Sequence, residues 1–381
     1  MHICFISNEY PKEGFPHGGV GTFLKTIAPK LVEAGHKVSV VGINYTNLNE
    51  SSIENGVTIF RLKKNNKKGL TWFLNAKAVN AKIKEINLEN PIDVVESAEL
   101  GLAFIKKIKT IKYVIRLHGG HHFFAESENR GINKWKGFQE KRSFKKADAF
   151  IAVSNYVKDH TAKYLSLNKL TQIIFYPVNN THFTPLKNVS YEKNSIVFAG
   201  TVCEKKGVRQ LIQAFPFVKE KYPEAILNIY GRDWFFPDGS SYIEMLKNIE
   251  LPKIQPFDHD VIFKGTVSYD EIPEVYAKAE VCVFPSHMET LGLVAPEAML
   301  CEKPVVFTAL GPGPEVIIDG YNGYLANPYE PKNIAEQILK VFDNQGKAKS
   351  IAEKGRQSVL EKFNPEIIVQ QNIDFYTEIV K

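Results

Sequence analysis

Glu289 and Glu297 stand eight residues apart in the run Pro285-Ser-His-Met-Glu289-Thr-Leu-Gly-Leu-Val-Ala-Pro-Glu297-Ala-Met299. On one straight helix that spacing would splay the two side chains by roughly 80° around the axis, so they would not share a face. Pro296 decides the geometry, because a proline fits the first turn of a helix, where its missing N–H has no partner to lose. The helix is expected to start near Gly292, with Glu289 in the loop before it and Glu297 just inside it. The N–H groups of Thr290, Leu291, Gly292 and Leu293 between them would then form a helix N-terminus suited to phosphate. Two carboxylates on either side of an anion cradle suit a sugar nucleotide, with hydroxyls for the acids and the diphosphate for the amides. A glycosidase pair would instead need facing carboxyls on a water-accessible sugar, with no phosphate cradle between them.

Other residues add to this chemistry. Lys206-Gly207 follows a strand ending near Gly200 and opens a helix over 208–215. A lysine there could offset the charge developing on a diphosphate leaving group. In Gly18-Gly19-Val-Gly21 the glycines allow close approach of backbone to a ligand. They lie about ten residues past the first strand and lack the third glycine of a dinucleotide fingerprint, which disfavours a dehydrogenase. His118, in Arg116-Leu-His118-Gly-Gly-His121-His122, ends a strand. No carboxylate or cysteine pattern completes a metal site with these histidines, and no metal is expected. Asp258-His-Asp260 looks like an Asp-x-Asp metal motif but reads better as a solvated loop.

The elements that must position these groups are short apolar runs alternating with helical patterns. Residues 2–7, 37–41, 57–62, 93–96, 113–117, 149–153 and 172–175 read as strands, with a helix over 21–34 after the first. The stretch Pro177-Val-Asn-Asn-Thr-His-Phe-Thr-Pro185 breaks the pattern. It then restarts with strands at 195–199, 226–230, 261–264, 281–285, 305–308 and 323–325, helices between them, and a last helix over 365–380. Strands apolar on both faces and alternating with helices indicate parallel sheets covered on two sides. The expectation is an α/β chain of two Rossmann-like domains, 1–183 and 184–364. They would face a central cleft at the carboxyl ends of both sheets, where ligands of open α/β sheets bind.

The Glu289 to Glu297 segment resembles the Glu-x7-Glu signature of retaining glycosyltransferases of family 4, which have the GT-B fold. Phe198-Ala-Gly-Thr-Val-Cys-Glu-Lys-Lys-Gly-Val208, Glu297-Ala-Met-Leu-Cys-Glu-Lys-Pro-Val-Val306, Gly311-Pro-Gly-Pro-Glu-Val316 and Asp319-Gly-Tyr-Asn-Gly-Tyr-Leu325 resemble successive family blocks. The first half matches more loosely, through His17-Gly-Gly-Val-Gly21, Gly35-His-Lys-Val38 and Ala147-Asp-Ala-Phe-Ile-Ala-Val-Ser154. The resemblance implies a metal-independent transfer from a nucleoside-diphosphate sugar to an acceptor hydroxyl, in polysaccharide, lipopolysaccharide or glycolipid assembly. It implies that Glu297 holds the ribose and Glu289 the sugar hydroxyls, that His118 contacts the transferred sugar, and that the backbone around Val267 lines the base pocket. Gly18 and Gly19 would lie near the donor phosphate and acceptor, and the C-terminal helix, 365–381, would pack back on the first domain. Family members usually carry an arginine right after the strand glycine, paired with the lysine. This chain has Thr201 there, and Arg209 or Arg232 is left to replace it. A GT-B sugar-nucleotide epimerase and a non-catalytic sugar-nucleotide-binding protein are the alternatives.

A chain of 381 residues with 44% hydrophobic and 24% charged residues has ordinary globular composition. No apolar run approaches the ~20 residues of a membrane span, and four scattered cysteines give no disulfide framework, so a cytoplasmic setting is expected. The net charge of +6 is uneven, with +12 over 1–185 and −6 over 186–381. Lysine clusters at 61–68, 106–109 and 141–146 have apolar neighbours, Leu70, Trp72, Phe73, Phe104 and Ile105 among them. Such surfaces suit an anionic membrane face or a lipid-linked acceptor. Nucleic acid is not an expected partner, since no recognition motif accompanies the charge.

Overall fold

A computed structural model describes residues 1–15, 18–127 and 130–381, which form two compact units, Met1–Pro177 with Pro365–Lys381, and Val178–Asn364. In the first unit the chain runs β1 (His2–Ile6), α1 (Gly19–Glu33), β2 (Lys37–Ile43), β3 (Glu50–Glu54), β4 (Val57–Leu62) and α2 (Thr71–Glu89). It continues through β5 (Val94–Ser97), β6 (Lys112–Leu117), α3 (His121–Ser127), α4 (Lys134–Lys146), β7 (Ala149–Ala152), α5 (Asn155–Ala162) and β8 (Thr171–Ile173). The sheet order is β3-β4-β2-β1-β5-β6-β7-β8, parallel throughout except for β3. Every residue of β5 and β7 is buried, as a sheet covered on both faces requires. α1 buries Phe23, Leu24, Ile27 and Leu31, spaced to form one helical stripe.

The second unit holds β9 (Ser195–Ala199), α6 (Val208–Lys219), β10 (Ile226–Tyr230), α7 (Tyr242–Met245), β11 (Val261–Gly265), α8 (Ile272–Lys278) and β12 (Val281–Phe284). There follow α9 (Val294–Leu300), β13 (Val305–Thr308), α10 (Gly313–Val316), β14 (Tyr324–Ala326), α11 (Pro331–Asp343) and α12 (Gln345–Lys362). Its sheet, β11-β10-β9-β12-β13-β14, is fully parallel. Strand order reverses between β9 and β12 here and between β1 and β5 in the first unit. Those reversals are where an open α/β sheet opens a crevice at its carboxyl ends.

The last helix, α13 (Pro365–Val380), belongs to the first unit, and a buried cluster shows why. Arg116 on β6 is fully buried and donates to Glu96 on β5 from Nε at 2.7 Å and Nη2 at 3.1 Å. Nη2 also reaches Asn372 Oδ1, and the Tyr376 hydroxyl donates to Glu96 Oε2 at 2.6 Å. A charge this deep persists only when paired and hydrogen-bonded, so α13 supplies part of the hydrogen bonding that holds Arg116.

Several strand and helix ends shift by one to four residues from the expectation, and four differences have a physical reason. The units divide between Pro177 and Val178 rather than at 183/184, because Val178 N–H bonds Phe363 O at 2.9 Å and buried Phe183 packs against Tyr269 and Tyr276. α1 begins at Gly19, two residues early. α9 begins at Val294, two residues past Gly292, whose φ of +81° is left-handed and cannot continue a helix. The edge strand β3, absent from the sequence reading, pairs with β4 through Asn55-Gly56, both at positive φ. Among the described residues no helix is long and apolar enough to cross a membrane.

Candidate donor site and a buried histidine

In the second unit, three strand ends are packed so closely that only glycine fits between them. A Cβ on Gly207, which has φ +70°, would lie 1.9 Å from the carbonyl oxygen of Pro285. One on Gly231 would lie 1.7 Å from that of Gly200. The turn carrying Lys206 after β9 is thereby pressed against the loop after β12, and His287 N–H bonds Lys205 O at 2.8 Å. This close approach brings Lys206 Nζ onto Glu289 Oε1, although 83 residues separate them. Ser286 Oγ donates to the same oxygen at 2.8 Å. Glu289 is 9% exposed, so its carboxylate is held by a cation and a hydroxyl at a largely buried position.

Between the glutamates, the N–H groups of Leu291, Gly292 and Leu293 donate to no protein acceptor among the described residues. Buried amide donors rarely lack a partner, which makes these three candidates for a ligand. Thr290 has partners of its own. Glu297 sits in the first turn of α9, half-buried. Burial pushes its carboxyl up to about 7, opposed by the positive charge of Lys206. Glu297 in turn helps to raise the hydroxyls of Tyr269 and Tyr276, behind the larger effect of their own burial. Val267, half-buried, lies in the loop after β11.

The two candidate replacement cations separate clearly. Arg209 is bound to Glu204, whose other oxygen accepts from the Tyr242 hydroxyl at 2.6 Å. Arg232, exposed at the end of β10, lies with Nε 3.4 Å from Thr201 Oγ1. A cavity of about 280 Å³ opens at the opposite, amino-terminal edge of the sheet, beside Ala279, Lys303 and Pro304, and contains none of these residues.

In the first unit His118 follows β6 and is 8% exposed. Its Nδ1 lies 2.6 Å from the Tyr176 hydroxyl, the two rings stack at 5.6 Å, and Phe23 sits against both. Nε2 has no hydrogen-bond partner among the described residues. Burial, then the nearby Arg116, drives its pKa well below the ordinary histidine value, so the ring is neutral. His122 bonds Glu140, and His121 Nε2 accepts from Asn133 N–H at 2.9 Å, so the three histidines have three different partners. Gly18 caps α1, its N–H 3.3 Å from Glu9 Oε2, and Gly19 has open space where a side chain would be. His17, part of the quoted glycine motif, lies outside the described residues.

Two family models cover most of the chain. One described as "Glycosyltransferase Family 4" matches residues 17–179, and one described as "Glycosyl transferases group 1" matches residues 184–358. The chain belongs to the family 4-like, GT-B glycosyltransferases. An uncharacterized glycosyltransferase of Methanocaldococcus jannaschii is 26% identical over 99% of this chain and 98% of its own length. Among solved structures, a sucrose-phosphate synthase from Thermosynechococcus elongatus has the same fold, with a TM-score of 0.84 at 20% identity, covering 99% of this chain and 98% of that one. Anabaena HepE, solved with UDP-glucose, gives 0.78 at 18% identity over 99% and 100%.

Within this glycosyltransferase, the second unit brings together Lys206, Glu289 and the 290–293 backbone, with Glu297 within electrostatic reach of Lys206. His118, Gly18 and Gly19 belong to the first unit. Asp260 accepts an ion pair from Lys219 at 2.6 Å, which gives the Asp258-His-Asp260 run a structural role. One buried group escaped the sequence reading. Glu99 is 3% exposed beside the His118–Gly120 turn, its Oε1 has no hydrogen-bond partner among the described residues, and burial pushes its carboxyl up to about 8. Nothing in Val94-Val-Glu-Ser-Ala-Glu99 marks it in sequence, because its neighbours arrive from β6 and α4.

Proposed function

We propose that this glycosyltransferase is a retaining, metal-independent enzyme that moves a sugar from a nucleoside-diphosphate donor to an acceptor hydroxyl. The supporting observation is the joining of Lys206 to Glu289 beside the unpartnered N–H groups of Leu291, Gly292 and Leu293. A diphosphate would accept from those amides, with Thr290 completing the loop, and draw Lys206 away from Glu289. That frees Glu289 to bond sugar hydroxyls. Glu297, as a carboxylate, would accept from the ribose hydroxyls, and the Val267 loop would flank the base.

Breaking the anomeric bond develops negative charge on the leaving phosphate and positive charge on the sugar. Fixed N–H groups and cations aimed at that charge lower the barrier without reorganising. Arg232, near Thr201 and without a carboxylate partner among the described residues, supplies the second cation that the family resemblance leads one to expect after the strand glycine. With two cations and three amides the diphosphate needs no metal. His118, neutral and with Nε2 uncommitted, would act on a hydroxyl of the transferred sugar. Gly18 and Gly19 would admit donor phosphate or acceptor at the start of α1.

HepE, at 18% identity, was solved with UDP-glucose, which makes uridine donors the first to try. The acceptor is proposed to be a sugar or lipid-linked glycan in polysaccharide, lipopolysaccharide or glycolipid assembly, reached by a protein resting on the inner face of a membrane. Thr201 favours one other reading, a sugar-nucleotide-binding protein without catalysis. Release of nucleoside diphosphate from donor, measured with and without candidate acceptors and in excess chelator, separates them. Acceptor-dependent release that survives chelator supports transfer, and binding without release supports the second reading. Activity lost to chelator and restored by a divalent cation would overturn the metal-independent account.

A further inference from the structure

We propose that an exposed aromatic plate on the first unit, framed by lysines, seats this protein on an anionic lipid bilayer. This deepens the membrane reading above and does not depend on the donor chemistry.

Three segments distant in sequence build the plate. Trp72 and Phe73 come from the first turn of α2, Phe104 from the loop after β5, and Trp135 and Phe138 from α4. Trp72 touches Phe104 at a ring separation of 4.5 Å and Trp135 at 5.4 Å. Trp135 stacks on Phe104 at 5.8 Å and on Phe138 at 5.7 Å. These rings hold one another in place yet stay open to solvent, with Phe73 and Phe138 each 50% exposed, and Leu70 and Ile132 extend the apolar surface. A contiguous apolar surface of this kind marks an interaction site, whereas single exposed apolar residues do not.

Charge identifies the occupant. Segments 63–77 and 104–109 contain several lysines and no acidic residue. Segment 132–146 contains one acid, Glu140, which is buried on His122. Asp148 takes Lys107 at 2.6 Å, and the exposed Lys68, Lys106, Lys134, Lys136 and Lys141 remain around the rings. A second copy docking by the same face would bring lysines against lysines. Single-stranded nucleic acid stacks its bases between separated rings along a groove, whereas these rings are already stacked on one another. Tryptophan and phenylalanine with lysines around them match the headgroup and acyl boundary of an anionic leaflet, where rings enter and ammonium groups meet phosphates. Each lysine near such a surface strengthens binding about five-fold.

Two of the three tryptophans, Trp72 and Trp135, lie in the plate, so their emission reports directly on it. The full chain in a Trp234→Phe background is titrated with vesicles of phosphatidylcholine alone or with about 30 mol% phosphatidylserine, at about 0.1 and 0.5 M salt. The expected result is co-sedimentation and a blue-shifted emission with the anionic vesicles, at least about ten-fold weaker on neutral ones or at high salt. Trp135→Ser with Phe138→Ser, both exposed positions, should abolish the shift, and Lys134→Glu with Lys136→Glu should weaken binding with the rings intact. Equal binding to both vesicle types, binding to neither, or wild-type binding by the ring variant overturns the proposal. So does a plate that binds a single-stranded oligonucleotide or drives self-association in place of vesicle binding. Nucleotide-induced thermal stabilisation is read on the same samples. Vesicle binding without it refutes the donor reading alone, and the converse refutes this inference alone.

Discussion

In the second unit the loops beyond β9, β10 and β12 interlock through Gly207 and Gly231, where a Cβ would collide with backbone. In the first unit α1 starts on Gly18 and Gly19, which face only the end of a flexible glutamate and open space. Apart from the antiparallel edge strand β3, both sheets are parallel and open a crevice at one reversal, so topology there does not separate them. The first unit is tight elsewhere, since a Cβ on Gly42 would lie 1.9 Å from Ser7 O, so the difference is local to the loops that bear the candidate residues. Close-packed backbone at the second unit fixes a cation and a carboxylate from segments 83 residues apart. At the start of α1 the open Gly18 and Gly19 leave backbone accessible and hold no such pair. Burial favours the uncharged form at both ends, raising Glu297 to about 7 in one, and raising Glu99 to about 8 while holding His118 neutral in the other.

The largest expected effect tests what the tight end holds. Glu289→Gln keeps shape but loses the charge facing Lys206, and kcat should fall about 10²- to 10³-fold, as when one preorganised polar group is removed. Nucleotide affinity should change far less, since Glu289 is assigned to the sugar. Steady-state kinetics beside a nucleotide titration reads both, and near-normal turnover would dismiss the assignment.

The comparison of glycines comes next. Gly207→Ala forces a Cβ into the Pro285 carbonyl at positive φ, and should destabilise the second unit by on the order of 2–3 kcal/mol. Gly19→Ala, with open space and a helical backbone, should be neutral or stabilise by up to about 1 kcal/mol. Denaturant melts of both variants check this, and equal effects would erase the contrast between the two ends.

Much of this was legible in sequence, for physical reasons. β9, β10 and β13 match their expected spans residue for residue, because buried parallel strands are continuous apolar runs. β3 is polar, and its one signal, the Asn55-Gly56 pair of a tight hairpin, went unread. The glutamate spacing pointed to a loop and a helix, but Gly292's left-handed backbone moved the helix start. Pairing Lys206 with Glu289, choosing Arg232 over Arg209, and assembling the aromatic plate all depend on contacts between distant segments, which no local pattern encodes.

Smaller effects sharpen the same contrast. Arg232→Ala should weaken nucleoside-diphosphate binding about ten-fold, whereas Arg209→Ala, already bound to Glu204, should change it little. Equal losses would mean that Thr201 is compensated elsewhere. The weakest expected effect is in pH. With a folded value of about 7, Glu297 gains its charge between pH 6 and 8, so nucleotide affinity should rise at most about ten-fold across that window. Without ligand, the folded carboxyl keeps its proton up to about pH 7 while the unfolded one releases it near the ordinary glutamate value of 4.5. Its contribution to stability is therefore full below that value and lost as pH rises through 7. Glu297→Gln should flatten both profiles, and unchanged profiles would remove Glu297 from the ribose.

The most direct test of the central claim is a calorimetric titration of nucleoside diphosphates into the wild-type chain and Lys206→Ala, in excess chelator. The account predicts binding of at least one nucleoside diphosphate by the wild type. It also predicts a loss of at least about ten-fold in the variant, which stays folded but melts somewhat lower for want of the Glu289 ion pair. Failure of every nucleoside diphosphate to bind, or equal binding by the variant, would contradict it.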